Sequence, residues 1–246
     1  MKMNQKSFAV LTAAVLSSTG VANAVSLQSL IANNGTVTLG DKTWSNFSFT
    51  AGGMDASVIA GLTSAANGLD VMATVSGGVY YLCWNGVVGI ANTGTGNLWG
   101  DLLLQYTVTA SAGRIDSIGQ AYTPDGTPAQ GTISIGETVR NNANVTTAVS
   151  RLDITDLSDP LPEFGDDLIV NPSEIVLHVT KDIFFFAVAP VAPETANFVG
   201  LSQVKQSFHQ TTVPNGGTTV PDGGTTVMML GAALSGLVLL RRKLVA

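Results

Sequence analysis

Cysteine is almost absent from this chain. Cys83 stands alone, so no intrachain disulfide can form and the fold must be held by packing. Charge is scarce as well, with 11% Asp, Glu, Lys and Arg and a formal net charge of -6. Five of the cations (Lys2, Lys6, Arg241, Arg242 and Lys243) sit near the two ends. The others, Lys42, Arg114, Arg140, Arg151, Lys181 and Lys205, are scattered, so the middle of the chain is more acidic than the total suggests. Phosphate backbones require a clustered basic footprint, which excludes nucleic acid as a partner. There are two histidines, His178 and His209, and neither has a Cys, an Asp or the other His at metal-ligand spacing. They read as satisfied or surface side chains. Cys83 has no local histidine to activate it and lies in the strand-like run Val79-Tyr80-Tyr81-Leu82-Cys83-Trp84, where a buried thiol acts as a small hydrophobe. No catalytic constellation emerges, and the chain reads as a non-enzyme.

Long apolar runs are missing from the middle and occur at both ends. Residues 1–24 carry Lys2 and Lys6, an apolar stretch from Phe8 to Leu16 and the small-residue site Ala22-Asn23-Ala24, the pattern of a secretory signal peptide whose removal would leave Val25 first. At the other end, an apolar run from Val227 to Leu240 precedes Arg241, Arg242 and Lys243. As a helix it is about 21 Å long, against a hydrocarbon core of about 30 Å, so it predicts a short transmembrane helix in a thinned bilayer. The three cations act as a membrane stop and hold its end in the cytoplasm. A buried core helix would show a polar face, whereas Met228 to Leu240 offers only Ser235 and small residues.

Immediately before this helix stands Val220-Pro221-Asp222-Gly223-Gly224. Motif, short helix and basic end, in that order, resemble the PEP-CTERM class of bacterial sorting signals in its VPDSG-type variant, with Gly223 in place of the variant's Ser. The resemblance covers residues 220–246. It implies a membrane-bound exosortase-type enzyme as partner, one that reads Pro221 and Asp222, cuts nearby and passes the protein to the cell surface. On that reading the anchor is temporary, like the removed tail of a lipid-anchor signal. Upstream, Thr211-Thr212-Val213-Pro214-Asn215-Gly216-Gly217 repeats as Thr218-Thr219-Val220-Pro221-Asp222-Gly223-Gly224. Residues 211–219 are therefore a Thr/Gly/Pro linker.

Between the ends lie roughly 185 to 200 residues, enough for one domain with its own core, assigned to 25–210. Its signal is period two. About ten segments rich in Val, Ile, Thr, Tyr and Phe predict strands: Thr36–Leu39, Thr43–Thr50, Leu69–Val75, Val79–Trp84, Leu102–Ala110, Ile115–Tyr122, Thr132–Arg140, Val145–Ile154, Ile175–Ala189 and Phe198–Gln210. Ala51-Gly52-Gly53, Asn92 to Gly100 and Pro124-Asp125-Gly126 separate them, the last as a β-turn. Asp55 to Ala66 is small and polar and reads as loop. Leu102, Leu104, Tyr106 and Val108 share one face while Gln105, Thr107 and Thr109 take the other, so the fold class is an all-β, antiparallel β-sandwich. Gly40 to Phe49 together with Val179 to Ile183 is similar to an ectodomain of PEP-CTERM proteins that carries no known activity. In Trp44 to Phe49, simple alternation puts Trp44, Asn46 and Ser48 on one side and Phe47 and Phe49 on the other.

Asp153, Asp156, Asp159, Glu163, Asp166 and Asp167 crowd six carboxylates around Pro160 and Pro162 in what reads as a loop. Such density is the one candidate metal site, for Ca²⁺, although the EF-hand spacing is absent and a solvated loop explains the same composition. The reading that follows is an exported cell-surface or matrix protein, structural or binding, with extracellular polysaccharide as a candidate partner. The alternative is a secreted polysaccharide-active enzyme, which calls for a deep cleft with two carboxylates on separate strands.

Overall fold

Alternating segments with an apolar side pair edge to edge and bury that side against a second sheet. The computed structural model of the chain describes residues 20–126, 131–154 and 164–211. The first elements are β1 (Gly20–Val21), β2 (Val25–Ser26), helix α1 (Leu27–Ala32), β3 (Val37–Leu39), β4 (Lys42–Gly53) and helix α2 (Ala56–Asn67). Then come β5 (Asp70–Ser76), β6 (Val79–Asn92), β7 (Leu98–Ala110), β8 (Arg114–Gly126) and β9 (Gly131–Asn141). The last are β10 (Thr146–Ile154), β11 (Phe164–Glu174), β12 (Val176–Ala187) and β13 (Asn197–Thr211). All pairings are antiparallel and fall into two sheets. The first runs β1-β5-β6-β13-β8-β11, with β2 also on β5, and the second runs β10-β9-β12-β7-β4-β3.

The expected sandwich is therefore present, and its core lies between the two sheets. Leu177, Val179, Ile183 and Phe185 of β12 and Leu102, Leu104, Tyr106 and Val108 of β7 point inward and are fully buried or nearly so. Aromatic rings join the sheets. Trp44 of β4 meets Phe208 of β13 edge-on at 5.5 Å, and Trp84 of β6 meets Tyr106 of β7 at 5.1 Å. Each such side chain removed from water contributes about 1.5–3 kcal/mol, which is how a chain with no disulfide holds together.

Several local expectations are corrected. Asp55 to Ala66 is not a loop, because α2 fills it. Asp55 caps the helix, accepting from the Ser57 and Val58 amides at 2.9 and 3.0 Å, and Val58, Leu62 and Ala66 form a buried stripe. Gly100 leaves room for that stripe, since a Cβ there would lie 2.8 Å from Leu62 Cδ1. Ala51-Gly52-Gly53 continues β4 and does not break it. Pro124-Asp125-Gly126 is no turn either, since it extends β8 along β13. Pro124 sits beside the register shift between Leu201 and Gln203, where a missing amide is tolerated.

Alternation in Trp44 to Phe49 also fails. A bulge between Ser45 and Ser48, with Asn46 at φ 53°, brings both Trp44 and Phe47 into the core. The acidic segment is not one loop, because Phe164–Glu174 forms β11 along β8 and so places Asp166 and Asp167 on a strand. Residues 1–19 of the leader and all of 212–246, including Val220 to Gly224 and Arg241 to Lys243, lie outside the described residues. Among the described residues, no helix is long and apolar enough to cross a membrane.

Candidate functional site

Four neighbouring strands of the first sheet, β6, β13, β8 and β11, present one row of outward residues. Tyr81 is the register partner of Ser207, Ser207 of Gly119, and Gly119 of Asp167. The residues that flank Ser207 in sequence, Gln206 and Phe208, point into the core, so alternation itself turns Lys205, Ser207 and His209 outward. Gly119 is the floor of the row. A Cβ there would overlap both Asp167 Oδ1 and Ser207 Oγ, which lean over it from the two sides. The Gly119 amide donates to Ser207 Oγ at 3.0 Å, and the same hydroxyl donates back to the Gly119 carbonyl at 3.3 Å.

Around this floor lies a cleft of about 340 Å³ lined by Tyr81, Asp166, Asp167, Lys205, Ser207 and His209. The Lys205 ammonium stands over the Tyr81 ring, 4.5 Å from its centroid. The cleft therefore offers the Asp167 carboxylate as acceptor, an ammonium as donor, a hydroxyl, an imidazole and an aromatic face, while Asp166, paired with inward Gln120, lines its edge from the other face of β11. Cys83, next to Lys205 in register, is buried, and burial pushes its thiol above the ordinary range against the pull of Lys205. It is an inert side chain in this setting.

Asp167 and His209, two residues singled out by sequence, are thus brought to one cleft, whereas Asp166 lies on the other face of β11, toward Tyr122. The remaining candidates are not brought there. Asp153 stands on β10 of the other sheet in an exposed ion pair with Arg151 at 3.2 Å. Its carboxyl is held below the usual range by Ser134 first, and by Arg151. Asp156, Asp159 and Glu163 fall outside the described residues. Among the described residues no group of three His, Cys, Asp or Glu is arranged to hold a metal ion. His178 shares a hydrogen bond with Thr107 Oγ1 at 2.9 Å on the outer face of the second sheet.

Two features escaped the sequence reading. Lys181 and Glu137 are both buried, as a pair with 2.5 Å between Nζ and Oε2. Their signal was available, because each occupies the inward phase of an apolar alternation, Leu177-Val179-Lys181-Ile183 and Ile133-Ile135-Glu137-Val139. On the outer face of the second sheet, Trp99 and Phe184 stack at 6.2 Å while both remain well exposed. Beside them the Asp101 carboxyl is hydrogen bonded to Asp182 and pushed up to about 7, by burial first and by Asp182 next. Only the cross-strand register places these four residues side by side.

Comparison with known proteins adds one firm result, at the C-terminus. Residues 219–244 match the VPDSG-CTERM motif. No curated protein matches the chain. Among solved structures, a CBM4 module is 12% identical, covering 66% of this chain and 86% of that one, with a TM-score of 0.26. A structure of carbohydrate-binding modules from the β-sandwich superfamily is 11% identical over 68% and 57%, also at 0.26. The enzymatically active domain of tailspike protein 4 of bacteriophage CBA120 is 10% identical, and this chain spans 19% of its length, again at 0.26. At such scores these likenesses assign no function.

Proposed function

We propose that this chain, whose residues 219–244 carry a VPDSG-CTERM sorting motif, is an exported surface protein that binds extracellular polysaccharide in the cleft over Gly119. On this reading the leader exports the chain, the tail holds it at the membrane, and an exosortase-type enzyme passes it to the cell surface. The cleft carries the binding reading. A sugar unit presents hydroxyls on its rim and C–H groups on its face. Asp167 and Ser207 suit the hydroxyls, and the Tyr81 ring suits the C–H face. The site is open across the strands, which accommodates a chain passing through it.

The reading is non-catalytic. Glycoside hydrolysis uses two carboxylates that flank the scissile bond from opposite sides, whereas Asp166 and Asp167 are consecutive on β11. Loss of a charged hydrogen-bond acceptor costs about 1.5–3 kcal/mol, so Asp167→Asn is expected to weaken binding by roughly 10- to 100-fold. Tyr81→Ala should weaken it comparably. The assay is a glycan array followed by titration of the best ligand, with Val149→Thr on an exposed strand position as control. A wild-type protein that retains no glycan, or cleft variants that bind like wild type, would refute the proposal.

A further inference from the structure

The buried Lys181 and Glu137 belong to a larger arrangement that the binding cleft does not use. They are direct register partners on β12 and β9 of the second sheet. Facing them across the sandwich, Gln120 of β8 and Gln206 of β13 are register partners in the first sheet. All four are buried. Lys181 Nζ lies 2.5 Å from Glu137 Oε2, 3.1 Å from Gln120 Oε1 and 3.1 Å from the Tyr122 hydroxyl. The Tyr122 hydroxyl donates to Gln120 Oε1 at 2.5 Å, and Gln120 Nε2 donates to Ser150 Oγ at 2.6 Å. Gln206 Nε2 donates to the other Glu137 oxygen at 3.1 Å.

Every role of an acyl transfer is filled. Lys181 is an amine in a water-excluded site, and Glu137 is a carboxylate in contact with it, placed to take its proton. The Gln120 amide is the acyl donor, and the Tyr122 hydroxyl that donates to its oxygen polarises the carbonyl and would hold an oxyanion. Ser150 contacts the amide nitrogen that would leave. Burial pushes the Lys181 ammonium pKa down, with Glu137 pulling the other way, which brings the neutral amine closer to reach. As a purely structural feature the pair is hard to justify, because apolar residues of similar volume serve a core as well or better.

We propose that Lys181 and Gln120 join in an autocatalytic isopeptide bond that ties β12 of one sheet to β8 of the other, with Glu137 as general base. Of the three protons on the Lys181 ammonium, one passes to Glu137. Nζ then bonds to Gln120 Cδ while the bond from Cδ to Nε2 breaks. Nε2 leaves as ammonia with the second proton, the third stays on the new amide, and Glu137 remains as the neutral acid. No oxidant, metal or co-reactant is needed. A bond of this kind gives a disulfide-free protein outside the cytoplasm a covalent tie that reduction cannot open.

The test is a tryptic map of the full chain after prolonged incubation of the folded protein. An acylated Lys181 resists trypsin, so residues 152–205 should appear uncut and joined to residues 115–140, about 17 Da lighter than the two peptides together, the mass of one ammonia. Glu137→Gln should remove that species and restore a free peptide 152–181, and Lys181→Arg should do the same. The wild-type map stands by itself if a variant fails to fold. A wild type that yields only the free 152–181 peptide overturns the proposal. So does a link to the peptide that begins at Gln206, or a Glu137→Gln variant linked to the wild-type extent.

Discussion

Removing the Asp101 carboxyl should change how stability depends on pH. Asp101 sits on β7 opposite Phe184, and Asp182 lies diagonally across on β12. Its pKa stands at about 7 in the folded protein, against an ordinary 3.8, because the half-buried carboxyl is poorly solvated and shares a hydrogen bond with Asp182. The folded protein therefore keeps a proton between about pH 4 and 7 that the unfolded chain has released. Stability must fall as pH rises through that window and level off above it. At full value the rise from 3.8 to about 7 corresponds to about 4 kcal/mol. The group is open enough to solvent for screening to reduce this, and we expect about 1–2 kcal/mol. Asp101→Asn keeps the shape and a hydrogen-bond donor and removes the titration. Thermal melts from pH 4 to 8 should show the variant gaining on wild type as pH rises, by about 2–4 °C for each kcal/mol. Difference curves that stay flat from pH 4 to 8 would refute the reasoning.

Two further outcomes are expected. Trp44→Ala should cost about 3–5 kcal/mol, because it empties a fully buried site packed edge-on against Phe208, and chemical denaturation would read it as a lower midpoint at unchanged slope. In the native host, Pro221→Ala with Asp222→Ala should leave membrane-bound precursor while Pro214→Ala with Asn215→Ala is processed normally. Identical mature masses for wild type and the Pro221/Asp222 variant would contradict the sorting reading.

The fold was legible where a single physical rule decides. One-sided burial writes itself as alternation, as in Leu102 to Thr109, and the tail motif is local in sequence by its nature. Misreadings arose where a second rule overrides the first. The bulge at Asn46 inverts the faces of all that follows in β4, and one extra residue leaves no mark in composition. At Pro124 the neighbouring strand supplies a pairing that outweighs local turn preference. The α2 segment did carry its signals, a capping Asp55 and apolar residues at spacing four, but small Ala and Ser residues diluted them. The cleft was half legible. Asp167 and His209 are conspicuous in sequence, whereas Gly119, Lys205 and Tyr81 acquire meaning only from a register that joins positions far apart in the chain.

The cleft and the buried quartet are two sides of one strand pair. On β8 and β13, Gly119 and Ser207 are partners facing the cleft, and Gln120 and Gln206, the adjacent positions, are partners facing the core. A strand whose inward side chain is fixed cannot slide without moving its outward neighbour, because the two sit one residue apart on opposite faces. A bond from Gln120 to Lys181 would thus pin the floor of the cleft directly. Asp167 reaches that floor from β11, whose partner among the described residues of the first sheet is β8, so the cleft wall depends on the same strand. On the proposed reading, a polymer held in the cleft loads the strands that hold it. In a chain with one cysteine, the proposed bond from β8 to β12 would lie directly behind that row and share such a load with the second sheet.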